Sequence, residues 1–170
     1  MNQKEIIKNL QSNKTDTVLA ALKLIRSEGN KELLYEVIKL LHHTDNKNVE
    51  EEIFNLLDHL KDQKSAVVII EAIEDKKYNH VLPRLVSSCW KNGLHYEDHI
   101  ETFINLFIEG DFQVAFEAYT VIDNMINIKN QDAERCLIKL SHSLEAISKD
   151  KLLLFNDINR QIGDKKENPA

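Results

Sequence analysis

Acidic and aromatic side chains crowd one stretch of the chain, and these residue types make it the strongest candidate for chemistry. Between Asn92 and Ile128 there are seven acids and no Lys or Arg. The acids are Glu97, Asp98, Glu101, Glu109, Asp111, Glu117 and Asp123. The stretch also contains the aromatic residues Tyr96, Phe103, Phe107, Phe112, Phe116 and Tyr119. Such a stretch is either a solvated face over an aromatic core or a surface that docks a basic segment of another protein.

Glu97, Asp98 and Glu101 form the centre of the predicted acidic surface. On a helix over 96–108, Glu97 and Glu101 share one face, where like charges four residues apart repel each other. No cation within the stretch relieves that repulsion. We therefore expect an acidic patch that binds a basic segment of a partner protein, with an ordinary solvated face as the alternative.

His95 and His99 are weak candidates for a metal site. They are four residues apart and flank Tyr96-Glu97-Asp98, and imidazole and carboxylate groups are common zinc ligands. The zinc-protease motif, however, places Glu directly after the first His, whereas Glu97 follows His95 by two residues. No third ligand is evident, so the sequence predicts no metal and no cofactor.

The remaining reactive residue types favour a protein without catalytic chemistry. Cys89 and Cys136 each lie in an apolar helical pattern, which predicts two reduced, buried thiols. No glycine-rich phosphate loop is present, because the glycines occur singly after apolar periodic segments. We find no catalytic constellation and expect a non-enzymatic protein.

Charge and hydropathy exclude two classes of partner. The chain has 22 basic and 28 acidic residues and a formal net charge of −6, whereas binding to a nucleic-acid backbone needs a basic surface. No apolar run approaches the roughly 18 residues that cross a bilayer. The N-terminal residues also lack the apolar core of a signal peptide. We expect a protein partner, no nucleic acid, no membrane and a cytoplasmic location.

An internal repeat positions these residues. Four segments begin with Asp or Asn followed closely by valine, and the valines are 31, 32 and 33 residues apart. The pairs are Asp16 with Val18, Asn48 with Val49, Asn79 with Val81, and Asp111 with Val114. Asp and Asn are typical helix N-caps, and Gly29, Gly93, Gly110 and Gly163 are predicted as left-handed helix ends. Apolar periodicity predicts helices near 2–11, 16–28, 31–43, 47–61, 65–75, 80–92, 96–108, 112–127, 131–146 and 149–162.

The predicted fold is an all-α superhelix of about four stacked antiparallel helix pairs. The repeats lie near 15–45, 46–77, 78–110 and 111–146, with capping helices near 2–11 and 149–162. One helix pair cannot bury its own apolar face, whereas stacked pairs share a continuous core. We expect one domain over 1–163 and a disordered polar tail over 164–170. Residues 66–70 are rich in β-branched types, but without a second strand to pair with they are predicted as helix.

The sequence Asp16-Thr17-Val18-Leu19-Ala20-Ala21-Leu22 resembles the first helix of a HEAT repeat, and 111–118 is the next closest match. The resemblance covers about residues 15 to 146, and armadillo-type or other HEAT-like packing is the alternative. It implies a curved α-solenoid whose second helices form a concave docking face. That face would include Tyr35, Lys39, Glu71, Glu97, Glu101 and Asn105.

The resemblance also leaves other functions open. HEAT-like proteins include alkylpurine DNA glycosylases and phycobilin lyases, so an enzyme or a lyase-type or chaperone-type accessory protein is the alternative to an adaptor. The acidic stretch disfavours the glycosylase. Self-association is a third possibility, in which the acidic stretch of one copy meets Lys76, Lys77 and Arg84 of a neighbouring copy, so we expect a monomer or a weak homo-oligomer.

Overall fold

The computed structural model describes residues 2–28 and 30–167, and all regular structure in this part of the chain is helical. The all-α fold class is therefore confirmed. The α-helices of the described chain are α1 (Gln3–Leu10), α2 (Thr15–Glu28), α3 (Lys31–His43), α4 (Lys47–Leu57), α5 (Ala66–Glu74), α6 (Leu82–Asn92), α7 (Ile100–Glu109), α8 (Phe112–Asp123), α9 (Asn130–Ser143) and α10 (Leu152–Glu167). Short 3-10 helices precede α5, α6, α7 and α10.

The β-branched segment 66–70 is helical, as predicted, and it begins α5. Val68, Ile69 and Ile70 are all buried, and α5 packs against both α3 and α6. A helix that is covered on several sides is apolar around most of its circumference. This burial explains why the segment lacks an amphipathic helical pattern.

The four repeat valines are buried, but most of the predicted N-caps are wrong. Asp111 caps α8 as predicted, and its side chain accepts a hydrogen bond from the Val114 N–H at 2.9 Å. The cap of α4 is Asn46 rather than Asn48. Asn79 lies inside a 3-10 helix, and Asp16 lies in the first turn of α2. In each repeat the valine is a buried core residue near the beginning of the helix. The residues that precede it differ in conformation from one helix to the next.

The predicted left-handed helix end is present at Gly93, which has φ of 68°. It is wrong at Gly110, whose backbone is extended, and at Gly163, which lies inside α10. Gly29 lies outside the described residues. Because α10 continues to Glu167, the first four residues of the predicted tail are helical, and 168–170 lie outside the described residues.

The chain divides into two compact units, Met1–Leu94 and His95–Ala170, and the division falls inside the third predicted repeat. In the first unit, unit 1, alternate helices lie side by side: α1 packs on α3 and α3 on α5, while α2 packs on α4 and α4 on α6. The two rows of helices bury a core that includes Leu22, Val37, Ile53, Leu57, Ile69 and Leu85. This is the alternation that stacked helix pairs require.

The second unit, unit 2, repeats the same alternation with four helices. Helix α7 packs on α8 and α9, and α10 packs on α8 and α9. Its core includes Phe103, Ile104, Phe107, Ala118, Ile122 and Ile158. All seven acids of the acidic stretch lie in unit 2.

Candidate functional site

Two acids of the predicted patch are paired with cations at the beginning of α9: Lys129 precedes the helix and Arg135 lies within it. Lys129 Nζ lies 2.5 Å from Asp98 Oδ1, and Arg135 Nε lies 2.5 Å from Glu101 Oε1. The hydrogen bond from Lys129 lowers the pKa of Asp98 below its usual value. The hydrogen bond to Glu101 likewise raises the pKa of Arg135. The repulsion inferred from the sequence is therefore relieved within unit 2, and that part of the argument for a basic partner is wrong.

Glu97 is the most enclosed acid of the three. Its side chain is 16% exposed and lies 3.6 Å from the His95 ring. It also accepts a hydrogen bond from the Ile126 N–H at 3.4 Å. Glu97 lies in the 3-10 helix Glu97–His99. Helix α7 begins at Ile100, whereas the sequence predicted a helix from residue 96. This acid therefore connects the entry to α7 with the segment that follows α8.

Asn105 lies one helical turn beyond Glu101 on α7. Its Oδ1 atom is buried and has no hydrogen-bond partner among the described residues. A buried oxygen cannot be reached by a partner protein. The structure therefore gives Asn105 no exposed acceptor at the predicted docking face.

The predicted docking residues of unit 1 do come together. The Tyr35 hydroxyl donates a hydrogen bond to Glu71 Oε2 at 2.7 Å, which raises the pKa of Tyr35. Lys39 lies one turn further along α3 and forms an ion pair with Glu36. A groove of about 160 Å³ between α3, α5 and the following 3-10 helix is lined by Tyr35, Ile38, Lys39, Val68, Glu71, Ala72, Asp75, Lys77 and Tyr78.

The two candidate metal ligands do not share a helix face. His95 precedes the 3-10 helix Glu97–His99, and His99 is the last residue of that helix. Across residues 2–28 and 30–167, no group of three or more His, Cys, Asp or Glu side chains is arranged to hold a metal ion.

Both cysteines are buried free thiols, as predicted. Burial raises the pKa of Cys136 to about 11, so its reactive thiolate is scarce at neutral pH. The Cys89 thiol lies 3.6 Å from the Leu85 carbonyl oxygen of the preceding turn.

Sequence reasoning missed an exposed aromatic pair on α8. Phe112 and Phe116 are each 47% exposed, and their rings are stacked with centroids 6.2 Å apart. The buried face of α8 consists of Val114, Ala115, Ala118, Val121 and Ile122. These five residues form a complete apolar stripe at helical spacing. Phe112 and Phe116 do not belong to that stripe, and the sequence could therefore have predicted that they lie outside the core.

Acids flank this aromatic pair in the sequence. Asp111 immediately precedes Phe112, and Glu109 lies three residues before it; both acids are exposed. Glu117 immediately follows Phe116. One carboxylate oxygen of Asp111 caps α8. We define the α8 surface as Phe112, Phe116, Glu109, Asp111 and Glu117. Three acids thus adjoin the two exposed aromatic residues in sequence.

No family model matches this sequence, and no curated protein matches it. In the described part of the chain, none of the helices has the length and apolar character needed to span a membrane.

Proposed function

We propose that this chain is a non-enzymatic, HEAT-like protein-binding module of the cytoplasm, and that the α8 surface is its docking site. The observation that carries this proposal is the stacked pair Phe112 and Phe116, each 47% exposed on one helix. Single exposed apolar residues are common, but aromatic side chains that form a cluster are enriched where proteins bind each other.

The charge of the α8 surface favours a basic amphipathic segment as the partner. The α8 surface lies in a stretch that contains no Lys or Arg, and three acids adjoin its aromatic pair in sequence. A partner with apolar side chains on one face would cover the phenyl rings, while its Lys or Arg residues approach the acids or the ring faces. Asp98 and Glu101 contribute less to this field because Lys129 and Arg135 neutralise them.

The groove beside Tyr35 and Glu71 is a second candidate docking surface. It collects three of the residues that the resemblance to HEAT repeats implied, namely Tyr35, Lys39 and Glu71. Its charges are balanced, since Lys39 pairs with Glu36 and Lys77 pairs with Asp75. We therefore assign the basic partner to the α8 surface.

A peptide titration followed by two-dimensional NMR tests the proposal. The probe is a helical peptide of about 18 residues with Leu on one face and Lys on the other. We expect amide shifts centred on α8 and at least about tenfold weaker binding to the double variant Phe112→Ser, Phe116→Ser. A matched peptide with Glu in place of Lys should not bind.

Ile138→Ser is the matched control, because Ile138 is a large apolar residue of unit 2 that is exposed on α9. This variant should bind the Lys peptide like the wild type. Equal weakening by both variants would contradict a docking site on α8, and so would shifts centred on the Tyr35 groove. Light scattering that shows a concentration-dependent dimer, lost in the Phe variant, would assign the surface to a second copy of the chain instead.

A further inference from the structure

We infer that unit 1 contains a binding pocket for a small organic carboxylate, separate from protein docking in unit 2. The pocket has a volume of about 400 Å³ and lies between the end of α2, the start of α3 and the end of α4. It is lined by Ile25, Arg26, Asn30, Leu34, Leu56, His59, Leu60, Lys61, Asp62 and Ser65. Its volume is in the range that accommodates small ligands.

The walls of the pocket are apolar. Ile25, Leu34 and Leu56 are buried core residues that present part of their surface to the pocket, and Leu60 completes the wall. Apolar walls favour a ligand body of aliphatic or aromatic carbon, because burying that body removes it from water.

The rim of the pocket is basic. Arg26 and Lys61 line the pocket and are exposed. His59 also faces the pocket, and its Nδ1 donates to the Asn55 carbonyl oxygen at 2.8 Å. In the neutral ring that hydrogen bond makes Nε2 an acceptor, so His59 offers no donor to a carboxylate and recognition of the head group falls to Arg26, Lys61 and Ser65.

Asp62 adds one negative charge to the rim. Its Oδ1 accepts a hydrogen bond from the Lys64 N–H. Two permanent cations and one anion leave a net charge of about +1 with neutral histidine, which matches the single charge of a carboxylate. A phosphate dianion would leave excess negative charge, so the carboxylate is the favoured head group.

Ser65 contributes a hydroxyl group to the lining of the pocket. Its side chain is buried, with the residue 4% exposed, and it occupies the N-cap position of α5 without forming a cap hydrogen bond. A hydroxyl is both a donor and an acceptor. Because it forms no cap hydrogen bond with α5, this hydroxyl can donate to a carboxylate oxygen.

Three probes separate the head group from the apolar body: hexanoate, hexan-1-ol and acetate. Each is titrated into the full chain and followed by amide shifts in two-dimensional NMR. We expect shifts at the pocket residues and about tenfold tighter binding of hexanoate than of hexan-1-ol, because the cations favour the charged head. Acetate should bind more weakly than hexanoate because it lacks the apolar body.

The variants place the charge recognition at named residues. Arg26→Gln combined with Lys61→Gln should weaken hexanoate binding about tenfold and leave hexan-1-ol binding unchanged. Ser65→Ala should weaken hexanoate binding about threefold. Lys64→Gln is the matched control, since Lys64 is an exposed cation beside the pocket that does not line it.

Equal affinities for hexanoate and hexan-1-ol would overturn the assignment of a carboxylate. The same effect from Lys64→Gln as from the double variant would show only nonspecific charge attraction and would also overturn it. An absence of pocket shifts at millimolar probe would remove the site. These readouts lie in unit 1, so they are distinguishable from failure of peptide binding at the α8 surface.

Discussion

Lys151 is a buried cation, 5% exposed, that closes the end of α7. Its Nζ donates hydrogen bonds to the carbonyl oxygens of Phe107, Ile108 and Gly110 at 2.9, 2.9 and 3.0 Å. The last carbonyls of a helix have no intrahelical partner and carry partial negative charge. One side chain from the 3-10 helix before α10 therefore satisfies the end of a helix that is distant in sequence.

Lys151→Met should lower the free energy of unfolding by about 2 to 4 kcal/mol, because methionine has a similar length but leaves these carbonyls without a donor. Urea unfolding of the full chain measures the change. Lys149→Met is the control, since Lys149 is exposed in the same 3-10 helix. A loss below about 0.5 kcal/mol would mean that water replaces the ammonium group readily.

Tyr119 connects α8 to α10 through a charge-assisted hydrogen bond. Its hydroxyl donates to Asp157 Oδ2 at 2.8 Å, and this bond raises the pKa of Tyr119 to about 12. Gln161 donates to the same Asp157 oxygen and to Asp123. The raised pKa means that the folded protein holds the phenolic proton more tightly than the unfolded chain does.

The stabilisation from Tyr119 should therefore be complete below its unfolded pKa of about 10 and should disappear as the pH rises toward 12. Tyr119→Phe should remove one late-ionising tyrosine from a spectrophotometric titration. The variant should also be less stable than wild type at pH 7, with the difference shrinking at high pH. Loss of a tyrosine that titrates near the ordinary pKa of about 10, rather than of a late-ionising one, would contradict the hydrogen bond.

At the scale of the elements, two glycines have opposite roles. A Cβ atom at Gly110 would lie 2.6 Å from the Leu106 carbonyl oxygen and 2.7 Å from Val114 Cγ1. A Cβ atom at Gly163, inside α10, would meet no atom within 4 Å. Gly110 therefore permits the close approach of α7 and α8, whereas Gly163 only lowers the helix propensity of α10.

Gly110→Ala should destabilise the protein by about 1 to 3 kcal/mol because the backbone or Val114 must shift. Gly163→Ala should stabilise it by about 0.5 to 1 kcal/mol because alanine favours the helix. Thermal unfolding of both variants beside wild type measures the two signs. Two changes of the same sign would show that one glycine has been interpreted wrongly.

The helices were predictable because apolar periodicity is a local property. Even the β-branched segment 66–70 was predicted correctly from its place in the repeat, and it begins α5. The helix ends were less predictable, since Asn46 and Asn48 are equally good N-caps by type and only the path of the chain selects Asn46. Gly163 shows the same limit, because nothing in its neighbours indicates that α10 continues through it.

At the scale of the whole molecule, the distribution of charge depends on contacts that no local pattern reveals. Asp98 and Lys129 are 31 residues apart in sequence, and Glu101 and Arg135 are 34 apart. The acidic stretch is a feature of composition alone, whereas in the structure Asp98 and Glu101 are ion-paired and Glu97 is largely enclosed. In the α8 surface the acids adjoin exposed aromatic rings in sequence, and only burial distinguishes these rings from the core residues Phe103 and Phe107.

Two double variants with the same change in net charge test this redistribution. Glu109→Gln with Glu117→Gln should weaken binding of the Lys peptide about three- to tenfold in low salt and should reduce its salt dependence. Asp98→Asn with Glu101→Gln should leave that affinity within about twofold of wild type, because those carboxylates already face Lys129 and Arg135. Calorimetric titrations at low and high ionic strength measure both. If the second pair of substitutions weakens binding as much as the first, the peptide binds through net charge rather than through the α8 surface. If neither pair weakens binding, the aromatic rings bind the peptide without an electrostatic contribution.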